Sequence, residues 1–281
     1  MLSTKTKIAI AKVGRTVVIL PRRMLGLSNT TVTSRSGIQW RLDLDEGIDL
    51  SIYLLGMFER STVTAYRRVI MPDDTVLDIG ANIGAHTLHF ARCVGPRGMV
   101  VAFEPTVFAF QKLAVNVALN PDLSPRIRME QVMLLDQAGG GLVPRLCSSW
   151  PLKTQTGLHE QHGGRMMETL GASVTTLDDY RDRAAMKRIH FVKLDLDGYE
   201  CKVLRGGRAT LMREKPLILM ELAPYLLTET GDSLEELLDL LAPLRYVLTP
   251  LDASHPLPNS PRRLRELIPP GHSINVFAKP Q

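Results

Sequence analysis

From residue 75 onward, short apolar runs recur, and most are followed by a stretch with the three-to-four-residue periodicity of an amphipathic helix. Val76–Ile79, Met99–Phe103, Ile127–Leu134, His190–Leu194 and Leu217–Leu222 read as strands. Gly84–Val94, Val107–Leu119, Glu200–Met212 and Ser233–Leu241 read as helices. A strand that is apolar throughout is buried on both faces, and strands joined through helices run parallel. The pattern therefore predicts an α/β fold with a mostly parallel sheet and helices on both faces. Two last strand-like runs, Tyr246–Thr249 and Ile274–Ala278, flank a proline-rich connection and predict an antiparallel C-terminal edge.

The residues before this pattern are of another kind. Residues 1–23 hold Lys5, Lys7, Lys12, Arg15, Arg22 and Arg23 and no acid, which is +6. With +5 for the whole chain, the rest sums to −1, and a basic face across the body, as RNA binding needs, is not expected. Ile10, Val13, Val17 and Leu20 share one helical face, so the segment predicts a basic helix covering an edge of the core. Peripheral contact with an anionic membrane surface and an organelle transit peptide are the alternatives. Ile38–Gly56 carries two strand patterns around Asp45-Glu46-Gly47, a hairpin signal, and Glu59–Ile70 predicts a lead-in helix stopping at Pro72. Residues 1–72 are thus expected to pack on a ligand-binding domain of residues 73–281, with an inserted loop at 136–172. That loop is rich in glycine, contains Trp150 and follows a strand's carboxyl end, where open sheets bind ligands. Cys93, Cys147 and Cys201 show no metal spacing and fit a reducing, cytoplasmic setting. No apolar run approaches the roughly 20 residues needed to cross a bilayer.

The first strand runs into "LDIGANIG". Gly80 and Gly84 allow a tight turn and close approach of a ligand. Their spacing is GxxxG, with Asn82 between them, and not the GxGxxG of a pyrophosphate-binding turn, which disfavours a nicotinamide dehydrogenase. Asp78 would repel a phosphate and suit a cationic group. Glu104 follows Gly84 by 20 residues at the end of the next strand, an offset suited to accepting hydrogen bonds from ribose hydroxyls. A nucleoside with a cationic, unphosphorylated tail fits all of this, and S-adenosylmethionine is such a molecule.

Three stretches, "VLDIGANIGAHTLHFA", "FEPTVFAFQKLAVN" and "FVKLDLDGYECKVLRGG…LMREKPLILMEL", resemble the FkbM family of S-adenosylmethionine-dependent methyltransferases, as does the lead-in "IYLLGMFERSTV". The resemblance covers roughly residues 50–222 outside the loop. It implies a class I methyltransferase (Rossmann-like) fold with a seven-stranded sheet. The implied activity is O-methylation of a hydroxyl on a small molecule, sugar, glycolipid or polyketide. By position it assigns Asp78, Gly80, Asn82, Gly84 and Glu104 to the cofactor. The family usually reads Asp-x-Glu-Gly where this chain has "DLDG", so Asp197 is one methylene shorter than the usual side chain.

Methyl transfer needs an acceptor oxygen held in line with the methyl and a base within hydrogen-bond reach. Asp195, Asp197 and Glu221, at the carboxyl ends of the strands near the expected crevice, are the candidates. Asp195 is read as a cofactor or acceptor ligand and Asp197 as a base, its alternative being a helix cap. Glu221, an acid at the end of a buried strand, is read as a site group or as a carboxylate satisfied by its neighbours. Glu59 either starts its helix or lies near the site. Lys193 is expected to point out from an edge or pair with an acid, and His86 and His89 to be ordinary helix residues. No metal ligand set is seen, although Asp195 or Asp197 could join a divalent metal. Three further readings stay open: an N-methyltransferase, an RNA methyltransferase, and a binding protein of this fold without activity. Neither the acceptor nor the oligomeric state is written in the sequence.

Overall fold

A computed structural model describes residues 4–153, 156–159, 163–186, 188–252 and 254–281, with side chains from residue 8 onward. The side chains of Lys5 and Lys7 lie outside the described residues. Helix α1 spans Thr4–Met24, a hairpin pairs β1 (Thr30–Arg35) with β2 (Ile38–Asp43), and α2 (Gly47–Leu55) and α3 (Arg60–Tyr66) follow. The hairpin expected around Asp45-Glu46-Gly47 is therefore displaced. Its turn is Ser36-Gly37, both at positive φ (52° and 73°), the two-residue geometry that matches strand twist. Gly47 onward is helical, closed by Gly56 in the left-handed region with its N–H on the Ile52 carbonyl.

The core then runs β3 (Thr75–Ile79), α4 (Thr87–Cys93), β4 (Met99–Phe103), α5 (Val107–Ala118), β5 (Ile127–Glu130) and β6 (Val132–Leu134). The inserted region holds β7 (Arg145–Ser149), β8 (Arg165–Glu168) and β9 (Ser173–Thr175), followed by α6 (Leu177–Arg183). Next come β10 (Phe191–Leu194), α7 (Glu200–Gly206), α8 (Arg208–Glu214), β11 (Leu217–Leu222) and α9 (Pro224–Glu229). The chain ends with α10 (Leu234–Leu241), β12 (Tyr246–Pro250), α11 (Pro261–Leu267) and β13 (Ile274–Pro280). The single strand expected at 127–134 is two, β5 in the main sheet and β6 paired with β9. The helix expected at 200–212 breaks at Gly207. The region 136–172 is not a bare loop: β7 and β8 form an antiparallel hairpin.

Seven strands make the main sheet in the order β12-β13-β11-β10-β3-β4-β5. All neighbours are parallel except β13, which is antiparallel to both β11 and β12. This is the seven-stranded class I methyltransferase sheet. Successive strands depart in opposite directions from the β3–β10 pair, so the crevice of the sheet opens at the carboxyl ends of those two strands. Alternate strand residues feed two cores. Leu77, Ile79, Phe103 and Val192 face one layer of helices, and Val76, Val100, Phe191 and Leu219 face the other, which includes α4 and the N-terminal residues.

Candidate active site

The turn after β3 is built by its own backbone. The Gly80 and Ala81 amides both donate to the Phe103 carbonyl (3.0 and 2.9 Å), and Asn82 takes φ +48°. Helix α4 starts only at Thr87, so residues 81–86 are a turn where a helix from Gly84 was expected. Gly80 is required by geometry: a Cβ there would lie 1.8 Å from the Asp195 carbonyl oxygen. The turn and the end of β10 are thereby pressed together at the mouth of the crevice.

Glu104 is buried where β4 ends. Its carboxylate accepts from the Asn82 amide (2.9 Å) and from the amide and hydroxyl of Thr106 (2.9 and 2.5 Å). A carboxylate offers about four acceptor positions, so three donors leave room for a ligand hydroxyl. Burial pushes its pKa up against these bonds. The β7 strand lies over it: the Ser148 hydroxyl, 2.9 Å from Thr106 Oγ1, can donate to it, and the Asn82 side chain donates to the Ser148 carbonyl (3.2 Å). The hairpin is anchored in turn by Glu46, which accepts from Ser149 Oγ (2.8 Å) and the Trp150 amide (3.1 Å). Beside this contact is a small recess lined in part by Asn82, Phe108, Ser148 and Trp150.

Asp78 is placed differently from the expectation of a carboxylate facing a ligand. It is fully buried under the turn, with Thr87 Oγ1 donating to it at 2.6 Å. Lys193 Nζ, its register partner on β10, stands 3.8 Å away. From there it can meet a cation in the crevice only through space, and it fastens the turn through Thr87. Burial raises its pKa, with Lys193 opposing. Lys193 sits in a central strand, not at an edge, and pairs with acids as the other expectation had it, at 3.0 Å from Asp195. Burial pulls its amine down, but the Asp195 and Asp78 carboxylates outweigh this and hold it above its ordinary value.

Asp195, Glu221, Lys193, Glu59, Thr62 and Asn275 line a second, tightly closed recess at the carboxyl ends of β10 and β11. Glu221 accepts from Ser273 Oγ (2.5 Å), and burial followed by the Asp195 charge pushes its pKa up to about 8. Asp197 lies just beyond, at φ +47°, its pKa raised by burial and by Asp195, Glu221, Glu200 and Glu104 in turn. It does not cap a helix: the N-cap of α7 is Tyr199, without a side-chain bond. Glu200 instead holds this turn, accepting from the amides of Leu196 (3.0 Å) and Gly198 (3.3 Å), and burial pushes it up to about 7.

Several of these residues were not singled out from the sequence: Glu46, Thr106, Ser148, Glu200 and Asn275. Glu200 alone left a trace, as an acid in the first turn of a helix behind a glycine. Glu59 is brought to the site by Asn275, which donates to it at 2.8 Å. Its carboxylate is 3.7 Å from the buried His86 Nε2. His86 and His89 are both held below the usual histidine range, chiefly by burial, and are neutral packing groups at pH 7. No group of three or more metal-ligating side chains is found among the described residues. None of the described helices is long and apolar enough to cross a membrane.

The donor set as a whole fits a cation. Asp78, Glu104, Asp195, Asp197, Glu200 and Glu221 surround one crevice, and Lys193 is the basic residue placed among them. The raised pKa values of Asp78, Glu104, Asp197, Glu200 and Glu221 are the signature of negative charge awaiting a positive partner. S-adenosylmethionine carries two positive groups, a sulfonium and an ammonium, on a nucleoside without phosphate.

Residues 78–248 match the family described as the methyltransferase FkbM domain. The 2-O-methyltransferase NoeI of Sinorhizobium fredii (strain NBRC 101917 / NGR234) is 24% identical over 216 residues, covering 72% of this chain and 82% of that protein. Among solved structures, the methyltransferase FkbM of Methylobacillus flagellatus KT is 15% identical with a TM-score of 0.45, over 92% of this chain and 65% of that one. Aeropyrum pernix fibrillarin with natively bound S-adenosyl-L-methionine is 14% identical with a TM-score of 0.44, over 89% of this chain and 82% of that one. With a match reaching from Asp78 under the glycine turn to Leu248 in β12, over more than half its length, the chain belongs to the FkbM family and is an S-adenosylmethionine-dependent methyltransferase.

Proposed function

We propose that the acceptor atom is a hydroxyl oxygen of a small molecule or glycan, presented at the carboxyl ends of β10 and β11, and that Glu221 is its base. The observation that carries this is the placement of Glu221, pushed up to about 8, beside Asp195 and Lys193 at the strand ends next to the glycine turn. A base with a raised pKa is better matched to an alcohol than an ordinary carboxylate. The 2-O-methyltransferase activity in the name of NoeI supports oxygen as the acceptor.

In this reading Gly80 to Gly84 and Glu104 hold the nucleoside, Glu104 accepting from its ribose. Asp78 and Asp195 supply negative potential, and the β7–β8 hairpin excludes water. The cofactor, once bound, supplies an electrophilic methyl on a cationic leaving group. Asp195 orients the acceptor hydroxyl or the cofactor amine, and Glu221 takes the hydroxyl proton as the oxygen attacks. Asp197 enlarges the negative field and serves as a second candidate for that proton.

The test is transfer of tritiated methyl from S-adenosylmethionine to cell extract and to a panel of hydroxylated glycans and small molecules, with products identified by mass. Glu221→Gln should cut turnover about 10²-fold or more with cofactor affinity within a few-fold of wild type. Labelled product carrying the methyl on nitrogen would overturn the acceptor assignment. Full turnover in Glu221→Gln with loss in Asp197→Asn would move the base to Asp197.

A further inference from the structure

Helix α1 has two apolar faces, and the core uses only one. Ile19 is buried, and Ile8, Ala11 and Val18 are partly covered. Arg15 fastens this inner face to the body through Asp45 at 2.6 Å. Ile10, Val13, Val17 and Leu20, whose spacing predicted the face that covers the core, point the other way. They are 58–69% exposed, and Met24 extends the row at 81%. At 100° per residue the five lie within a narrow stripe opposite Arg15 and Ile19. Leu54 of α2, itself half exposed, borders the stripe against Gly14. A soluble surface seldom leaves so continuous an apolar row in water without a use for it.

Charge identifies the occupant. The chain carries no acid before Asp43, and Lys12 and Arg23 stand along one edge of the stripe, both exposed and in no ion pair among the described residues. An apolar stripe edged by cations matches the boundary between acyl chains and anionic headgroups, where the stripe enters the hydrocarbon and the cations stay with the phosphates. A second copy of the helix fits poorly, since it would set the same cations against each other. We propose that the outer face of α1 docks the enzyme on an anionic phospholipid bilayer. The helix lies in the interface plane, with the body held beside the membrane.

The test uses the full chain and sedimentation with phosphatidylcholine vesicles, with and without about 30% phosphatidylglycerol. The wild type should bind the anionic vesicles, lose most of that binding at high salt, and bind neutral vesicles far less. Val13→Glu with Val17→Glu should weaken anionic-vesicle binding about tenfold or more, and these exposed sites should leave the thermal midpoint unchanged. Val17→Trp gives a readout that does not depend on the charged variant: its emission should shift to the blue on anionic vesicles. Absence of binding at low salt overturns the proposal, as does equal binding by the double variant or an unshifted tryptophan. Light scattering that shows a wild-type oligomer, split by the double variant and indifferent to vesicles, assigns the stripe to a protein partner instead.

Discussion

At Gly80 a Cβ would meet the Asp195 carbonyl at 1.8 Å, and the backbone stands at φ +81°. Gly84, at φ +88°, would set its Cβ 2.8 Å from the Leu113 side chain, a flexible end that can yield. Strain from φ alone costs about 1–2 kcal/mol, whereas a backbone clash forces two strand ends apart. Gly80→Ala should therefore destabilise by about 3–5 kcal/mol and Gly84→Ala by about 1–2 kcal/mol, measured by urea denaturation. Equal losses would mean that the approach to Asp195 relaxes freely. Both glycines were legible in the sequence because a turn of this tightness needs them. Glu104 was legible from its offset alone. The partners that complete the site were not. Asn275 and Ser273 lie on or next to the last strand, far along the chain, and only the insertion of β13 beside β11 brings them to Glu59 and Glu221.

Elements were legible where one periodicity dominated. The five parallel strands fall within a few residues of their expected places because each is a short, mostly apolar run, even where Asp78, Arg128 or Lys193 interrupts it. Gly47–Leu55 was misread as a strand because Asp49, buried with Leu50 and Ile52, breaks the apolar pattern. That aspartate is paired with Lys112 at 2.8 Å, a contact 63 residues away that no local pattern shows. The β7–β8 hairpin leaves no local signature for a similar reason: it is anchored to the body by Glu46, about a hundred residues upstream. Removing that anchor leaves the Ser149 hydroxyl and the Trp150 amide without their acceptor, a loss of about 1–3 kcal/mol concentrated in one element. Glu46→Ala should make the segment between β7 and β8 about tenfold more sensitive to limited proteolysis. S-adenosylmethionine should restore part of the protection if, as proposed, Glu104 beneath that strand holds its ribose. Unchanged cleavage would place the latch elsewhere.

On the scale of the molecule, the strand order turns scattered acids into one electrostatic object. Asp78, Glu104, Asp195, Asp197 and Glu221 stand out singly in the sequence and Glu200 does not, and only the divergence of strands at the β3–β10 pair brings them to one end of the sheet. Their raised pKa values fix a sign. A carboxyl whose folded value lies above its unfolded one holds extra protons in the folded state. Its stabilising contribution is complete below the unfolded value of 4.5 and is lost as pH rises through about 7 for Glu200 and about 8 for Glu221. The ligand-free enzyme should therefore lose stability between about pH 5 and 8, by on the order of 1–2 kcal/mol once solvent screening is allowed for. A cationic cofactor favours the ionised carboxylates and reverses the trend. Between about pH 6 and 7.5, where its own amine stays charged, S-adenosylmethionine should bind more tightly as pH rises and release protons on binding. Calorimetry in buffers of different ionisation enthalpy measures that release directly. Glu221→Gln should reduce it and flatten the pH slope of the thermal midpoint. Proton uptake on binding, or a slope that Glu221→Gln leaves intact, would show that the crevice carboxylates are already ionised in the free enzyme and that its negative charge is balanced by groups other than the cofactor.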